Sequence, residues 1–180
     1  MGAMNTEREV LDRLDRLAVR HYVTGSWALS VHAEPRMTRD LDLVLDLDPA
    51  DYERRIRPAF DDVYLVNDLI DVGGRAIGGL VHRTEIARVD LILGRRDAWS
   101  RQAFERCRVV DHPGLGRAAV TSAEDLILAK LEWSDGGRSE LQLRDCRSVI
   151  RIAPELDWDY LRRHAAVLGV GPLLESVRGG

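Results

Sequence analysis

Residues 40–48, which read Asp-Leu-Asp-Leu-Val-Leu-Asp-Leu-Asp, decide the fold of this chain. Leucine stands at every odd position of the stretch, and aspartate stands at every even position except Val44. Because successive side chains of a strand point to opposite faces, this alternation predicts a β-strand with one apolar face and one acidic face. Asp40 and Asp42 leave the acidic face about 7 Å apart at the backbone. Their carboxylates can therefore converge on one cation or on a pair of cations.

Helix and strand signals alternate on both sides of this stretch, and after Val120 they change to helix signals alone. We predict strands at residues 21–24, 40–48, 63–66, 75–82, 85–93, 108–110 and 118–120. We predict helices at residues 6–18, 27–31, 97–107, 141–152 and 158–168, one from Pro49 to near Pro58, and one that follows a cap at Thr121 or Ser122. The expected fold is α/β (α+β): a mixed, largely antiparallel sheet with flanking helices in residues 5–120, followed by a C-terminal helical segment in residues 121–178.

Length and composition limit the classes of protein that fit. The 180 residues are 45% hydrophobic and 31% charged, which predicts one globular unit and excludes a disordered or fibrous chain. The apolar stretches are too short for a bilayer span, and the start has no apolar signal core, so we expect a cytoplasmic protein with no membrane association. The net charge of −4 argues against general nucleic-acid binding through bulk charge, although local basic faces stay possible.

Three acidic residues are candidates for a metal site. Asp90 lies in the apolar segment Val-Asp-Leu-Ile-Leu of residues 89–93, and it could join Asp40 and Asp42 if the two strands are neighbours. Like charges at this spacing repel, and a hard divalent ion such as Mg²⁺ makes the arrangement favourable. The alternative is a solvated strand face, since Asp46 and Asp48 continue the same acidic side.

Two further features could bind phosphate. Thr24-Gly25-Ser26 is a turn of small residues ahead of a predicted helix, and it could present backbone N–H groups and a hydroxyl to a phosphate. Lys130 is the only lysine in the chain, so a compact ammonium group is favoured there over the arginine used elsewhere. It suits a phosphate or a leaving pyrophosphate, and the alternative is an ordinary lysine on a helix surface.

The order of these motifs resembles a known superfamily. Gly25-Ser26, then Asp40 and Asp42 in the run 36–42, then Asp90, resembles the nucleotidyltransferases related to DNA polymerase beta. The run 122–131, followed by Arg144-Asp145, is similar to the AbiEii/MenT-type nucleotidyltransferases, which are the toxins of type IV toxin–antitoxin systems. Together the resemblances span roughly residues 20–152 and imply the nucleotidyltransferase type of sheet and flanking helices.

The resemblance implies an enzyme that transfers NMP from an NTP to an acceptor hydroxyl with the help of two Mg²⁺ ions. The implied residues are Asp40, Asp42 and Asp90 as metal ligands, with Asp90 also as the catalytic base; Gly25, Ser26, Arg36, Thr38 and Lys130 as nucleotide-binding residues; and Lys130 and Asp145 as further catalytic residues. The helical segment would pack on the core and complete the active site. Taken alone, Asp145 is better explained by an ion pair with Arg144 or Arg147.

The first hypothesis for the acceptor is tRNA, as for an AbiEii/MenT-like toxin, and two alternatives stay open. A toxin would act on tRNA and would have a partner antitoxin, whereas a small-molecule enzyme of the antibiotic-modifying kind would use the same acids. A third hypothesis is a non-catalytic NTP-binding module of the same fold. Two groups of arginines could form a phosphate track for a tRNA-like acceptor or could be solvated helix surface. They are Arg54, Arg55 and Arg57, and Arg144, Arg147, Arg151, Arg162 and Arg163.

Overall fold

A seven-stranded sheet is the centre of the fold. The computed structural model describes residues 6–35, 38, 40–153 and 155–179. Within them the strands are β1 (His21–Thr24), β2 (Asp40–Leu45), β3 (Tyr64–Val72), β4 (Arg75–His82), β5 (Arg88–Leu93), β6 (Arg108–His112) and β7 (Gly116–Val120). Their order in the sheet is β3-β4-β5-β2-β1-β7-β6. The β2–β5 and β1–β7 pairs are parallel and the other four pairs are antiparallel, which confirms the predicted mixed, largely antiparallel sheet.

Helices flank the sheet and then follow it. They are α1 (Thr6–Arg16), α2 (Gly25–His32), α3 (49–60), α4 (Ala98–Arg106), α5 (Ala123–Glu132), α6 (Glu140–Ile152), α7 (Trp158–Val167) and α8 (Gly171–Arg178). None of the helices in the described residues is long and apolar enough to cross a membrane. The α/β order of the first part and the helical character of the second part agree with the sequence.

Two helices differ from the prediction because of proline. Helix α3 continues past Pro58 to Phe60, since a π-helical turn at Tyr52–Ile56 shifts the hydrogen-bond register just before it. Helix α8 was not predicted, because Gly171-Pro172 resembles a loop. A proline in the first turn of a helix costs no hydrogen bond, and Leu174 and Val177 bury the inner face of α8.

The two faces of β2 are buried against different groups of side chains. Leu41, Leu43 and Leu45 are fully buried in the main core, which extends from the sheet to the C-terminal helices. On the opposite face Val44 is buried with Tyr22, Ile92, Ala103 and Phe104, because α4 packs there. The acidic face is therefore polar only toward its start, at Asp40 and Asp42. Strand β2 ends at Leu45, earlier than predicted, and Asp48 caps α3 as predicted.

Asp125 connects three helices in the interior. It lies in the first turn of α5 and is only 1% exposed. Its carboxylate accepts hydrogen bonds from Trp99 Nε1 of α4 at 2.8 Å and from the Tyr160 hydroxyl of α7 at 2.6 Å. It also accepts the Ser122 hydroxyl at 2.6 Å and lies 3.5 Å from Arg106 Nε. Burial and the Asp125 charge both raise the pKa of Tyr160, which stays a neutral donor.

Replacement of Asp125 by alanine should therefore destabilise the protein. The Tyr160 hydroxyl and the indole N–H of Trp99 would lose their buried acceptor, and Arg106 would lose one of its two carboxylate partners. We expect Asp125→Ala to lower the free energy of unfolding by about 3–5 kcal/mol in urea denaturation. The exposed Glu105→Ala on α4 should change it by less than about 0.5 kcal/mol. A loss in Asp125→Ala no larger than in this control would contradict the role assigned to Asp125.

Candidate active site

A cavity of about 330 Å³ lies between the sheet, α4 and α5. Its wall includes Gly25, Ser26, Asp42, Asp90 and Lys130, which the sequence had singled out as site residues. These side chains come from four elements that are far apart in the chain. The fold thus brings together the turn of small residues, two of the three acids and the lone lysine.

Strand register places the two acids side by side. Asp42 of β2 is the direct partner of Thr24 on β1 and of Asp90 on the parallel strand β5. Adjacent strands lie about 4.8 Å apart, so the Asp42 and Asp90 side chains leave neighbouring points on the same face of the sheet. Two carboxylates in this position can supply oxygen ligands to a cation.

Gly25 begins α2 directly against Asp42. Its φ of +61° lies in the left-handed region, which glycine adopts most easily. A Cβ atom at this position would overlap the Asp42 carboxylate. The backbone at the start of α2 can approach this carboxylate so closely only because residue 25 has no side chain. Buried Ser26 follows in the first turn of the same helix.

The third acid, Asp40, stands at the edge of this site. It is exposed, does not line the cavity, and is the register partner of Arg88. Arg88 shares its face with Asp90, and its Nε and Nη2 lie 2.9 and 2.8 Å from Asp90 Oδ1. Three carboxylates and one arginine therefore occupy one end of the sheet face, and the arginine neutralises part of the charge.

The donor set fits a divalent cation in part. Among the described residues, no three His, Cys, Asp or Glu side chains are arranged to hold a metal ion as they stand. Asp42 and Asp90 nevertheless offer paired oxygen donors, and Asp40 lies on the same face two residues before Asp42. A cation at Asp90 would compete with Arg88 for the carboxylate.

Lys130 and Asp145 form a buried ion pair. Lys130 Nζ donates to Asp145 Oδ2 at 2.8 Å and to Gln142 Oε1 at 3.2 Å, and both charged side chains are at most 5% exposed. Asp145 thus pairs with Lys130 rather than with Arg144 or Arg147, because α6 turns it toward α5. Lys130 lines the cavity, whereas Asp145 lies behind it, at a second cavity.

The structure also reveals a charged cluster that sequence reasoning missed. Arg75 of β4 and Arg95, which follows β5, both form ion pairs with Glu132 at the end of α5, and the two arginines line the cavity. We call these residues the Arg75–Glu132–Arg95 cluster. Burial and repulsion by Arg95 lower the pKa of Arg75 to about 10. In the sequence, Arg75 and Arg95 stand out only as arginines at the ends of predicted strands. Arginines are common at such positions, so the sequence does not predict the cluster.

Two predicted nucleotide-binding residues are not seen at the cavity. Thr38 does not line it, and its hydroxyl donates to the Asp40 carbonyl at 3.2 Å. Arg36 lies outside the described residues.

The predicted basic faces separate into two kinds. Most of these arginines contact groups in their own neighbourhood: Arg54 with Asp51, Arg55 with the Leu17 carbonyl, Arg57 with Glu53 and Asp68, Arg162 with Glu175, and Arg163 with the Tyr160 ring. Arg147 and Arg151 of α6 also have acidic partners, Glu140 and Glu34, but together with Arg144 they line the second cavity, of about 660 Å³. Only this group of the predicted arginines, as far as the described residues show, converges on a cavity.

Comparisons with known proteins concern the fold. No protein-family model and no curated protein matches the chain. An antigenic nucleotidyltransferase-like protein from Paracoccidioides brasiliensis superposes with a TM-score of 0.57 at 19% identity, over 97% of this chain and 91% of that one. The lincosamide antibiotic adenylyltransferase LnuA with bound lincomycin gives a TM-score of 0.53 at 14% identity, over 82% of this chain and 98% of that one.

A third solved structure is the complex of ANT(2'')-Ia with adenylyl-2''-tobramycin, with a TM-score of 0.55 at 14% identity, over 94% of this chain and 93% of that one. At such low identities these likenesses establish the fold. The chain therefore has the fold of nucleotidyltransferase-like proteins, as the sequence motifs imply.

Replacement of Gly25 by alanine tests the close approach at this site. The methyl group would push the Asp42 carboxylate away, and alanine is strained at positive φ by about 1–2 kcal/mol. We expect Gly25→Ala to lower the melting temperature and to weaken binding of a Mg²⁺–NTP complex in calorimetric titration. Gly74→Ala is the matched control, since it is strained at φ +78° but contacts nothing within 4 Å. Equal nucleotide affinity in the two variants would contradict the assignment.

Proposed function

We propose that the protein is a Mg²⁺-dependent nucleotidyltransferase that transfers NMP from an NTP to an acceptor hydroxyl. The observation that carries this proposal is the register of Thr24, Asp42 and Asp90 across three strands, with Gly25 against Asp42 and Lys130 in the same cavity. The fold that the chain shares with nucleotidyltransferase-like proteins supports it.

Asp40, Asp42 and Asp90 would hold the metal ions. When bound, Mg²⁺ would neutralise charge on the triphosphate and lower the pKa of the attacking hydroxyl. The start of α2 would bind the triphosphate through the backbone N–H groups and hydroxyl of Gly25-Ser26, where the helix dipole favours negative charge. These residues mainly position the reactants, which is the principal task of a protein in phosphoryl transfer.

The bond changes follow from this placement. The acceptor oxygen forms a bond to the α-phosphorus of the NTP, and the bond from that phosphorus to the pyrophosphate oxygen breaks. The Asp90 carboxylate takes the hydroxyl proton, and pyrophosphate leaves. The products are a nucleotidylated acceptor and pyrophosphate, so atoms and charge balance without any further reactant.

Lys130 is suited to binding the leaving pyrophosphate. Its ammonium group has three donors, of which Asp145 and Gln142 accept two. Among the described residues no acceptor is seen for the third N–H, and the side chain lies at the cavity wall. Asp145 and Gln142 would then act as positioning residues that fix the ammonium group.

The cavity favours a small hydroxyl compound as acceptor. Its volume of about 330 Å³ is at the lower end of the range of small-molecule sites, and the NTP would occupy part of it. Two structural neighbours are antibiotic adenylyltransferases, one with lincomycin and one with adenylylated tobramycin. Because of these neighbours, a small molecule is the first candidate for the acceptor.

A tRNA-modifying toxin of the AbiEii/MenT type, restrained by an antitoxin, is the second candidate. One observation favours it: Arg144, Arg147 and Arg151 converge with Arg178 on the second cavity. Arginines grouped in this way can bind successive phosphates of an RNA backbone. The similarity of residues 122–131 to such toxins points the same way.

A transfer assay tests the proposed reaction. The α-³²P-labelled NTPs are incubated with the protein, Mg²⁺ and, separately, total tRNA, lincomycin, tobramycin or no acceptor. We expect Asp42→Asn and Asp90→Asn to reduce transfer about 100-fold or more, because even outer groups of a metal site cost 10–100-fold. Asp46→Asn, an exposed acid just beyond β2, is the control and should keep full activity.

The acceptor that becomes labelled decides between the two candidates. Label on tRNA that disappears in Asp42→Asn would favour the toxin, and label on a small molecule would favour the first candidate. Full transfer activity in both Asp42→Asn and Asp90→Asn would overturn the metal assignment.

The role of Lys130 needs a variant that keeps the fold. Lys130→Met leaves Asp145 charged, buried and without its lysine, which should cost about 3–5 kcal/mol in urea denaturation. The double variant Lys130→Met with Asp145→Leu removes both charges and should recover most of that stability. We expect transfer to stay low in the double variant. Wild-type transfer there would show that the ion pair serves only stability.

A further inference from the structure

The Arg75–Glu132–Arg95 cluster contains two positive side chains and one negative side chain. Two guanidinium groups share the single carboxylate of Glu132. Arg75 is only 8% exposed, and Arg95 is partly exposed toward the cavity. A charged group buried in this way is costly unless it is fully paired, so this end of the cavity favours a further anion.

The Arg75 guanidinium is held in a fixed orientation. It lies 5.5 Å from the centre of the Trp99 ring and 5.3 Å from that of Trp133, and both distances are within cation–π range. Trp99 is itself fixed by its hydrogen bond to Asp125. The Nε atoms of Arg75 and Arg95 are screened from solvent and have no hydrogen-bond partner among the described residues. The guanidinium groups that line the cavity wall suit the oxygens of a carboxylate or a phosphate.

The cluster lies well away from the acids. Asp90 is paired with Gly79 on β4, and Arg75 precedes Gly79 by four residues, which corresponds to about 13 Å along the strand. Between them an apolar row crosses the sheet, formed by Val44, Ile92 and Ile77. The cavity thus has an acidic end, an apolar middle and a cationic end.

We propose that Arg75 and Arg95 bind an anionic group of the acceptor, so that the acceptor is a small hydroxyl compound that carries a carboxylate or a phosphate. This inference rests on the proposed function. An NTP has all its negative charge on the triphosphate, which that function places at Gly25-Ser26 and the acids, and its base and ribose are uncharged. The anion at the far end therefore belongs to the second substrate.

This assignment also separates the protein from enzymes with polycationic acceptors. A compound with several ammonium groups would meet two guanidinium groups at this end of the cavity and would be repelled. The transfer step is the one described above: the acceptor hydroxyl attacks the α-phosphorus at the acidic end, and pyrophosphate leaves.

Calorimetric titration of the full chain with inorganic phosphate tests the proposal. The protein is first saturated with Mg²⁺ and the α,β-methylene analogue of an NTP, so that the triphosphate site is filled. We expect phosphate to bind the loaded protein, and Arg95→Gln to weaken this binding at least tenfold with unchanged affinity for the analogue. Arg54→Gln, a surface arginine paired with Asp51, is the matched control and should bind phosphate as the wild type does.

Arg95 is the first choice for substitution because it is less buried than Arg75, and Arg75→Gln serves as the second variant if it folds. Competition between phosphate and the analogue would assign the arginines to the triphosphate and overturn the proposal. Binding of the analogue without binding of phosphate, or equal phosphate affinity in Arg95→Gln, would also overturn it while leaving the proposed function intact. Failure of the analogue itself to bind would overturn both.

Discussion

The parallel pairing of β2 with β5 is the constraint on which both the core and the candidate site depend. It sets Leu43 beside Leu91 on one face and Asp42 beside Asp90 on the other. A slip of one residue would turn the buried leucines toward the cavity and the aspartates into the core. Because such a slip would expose the buried leucines and bury the aspartates, the packing of the hydrophobic core fixes the position of the acids. Residues that are never in contact with a substrate thus determine the geometry of the site.

The charges around the cavity are handled in three different ways. Asp125 is fully satisfied by hydrogen bonds and serves to hold α4, α5 and α7 together. Lys130 and Asp145 neutralise each other in the interior, where either charge alone would be costly. Asp42 and Asp90 line one end of the cavity, where Arg88 pairs with Asp90, and Arg75 and Arg95 line the other end and share Glu132. Charged groups gathered at a cavity wall are typical of places where a protein binds a ligand.

Local patterns explain which elements were predictable. Strand β2 follows from the strict alternation of residues 40–48, and α4 follows from the Asp97 cap, whose side chain accepts the Ser100 N–H. Strand β3 is longer than predicted, because pairing with β4 extends it through mostly exposed residues, polar and apolar, with no alternation. Helix α8 was missed because Gly171-Pro172 resembles a loop, although Leu174 and Val177 are buried where α8 packs against α6 and α7. In each missed case tertiary contacts outweighed the local signal.

The sequence by itself determined the class of fold and the residue types of the candidate site. Alternating leucine and aspartate, the Gly25-Ser26 turn and the single lysine are local features, and each has a direct physical consequence for backbone or charge. Only the tertiary structure decided which of these residues meet. It placed Asp42 beside Asp90, left Asp40 at the rim next to Arg88, and joined Lys130 to Asp145. It also created the Arg75–Glu132–Arg95 cluster, since the proximity of residues so far apart in sequence arises only from strand register and helix packing.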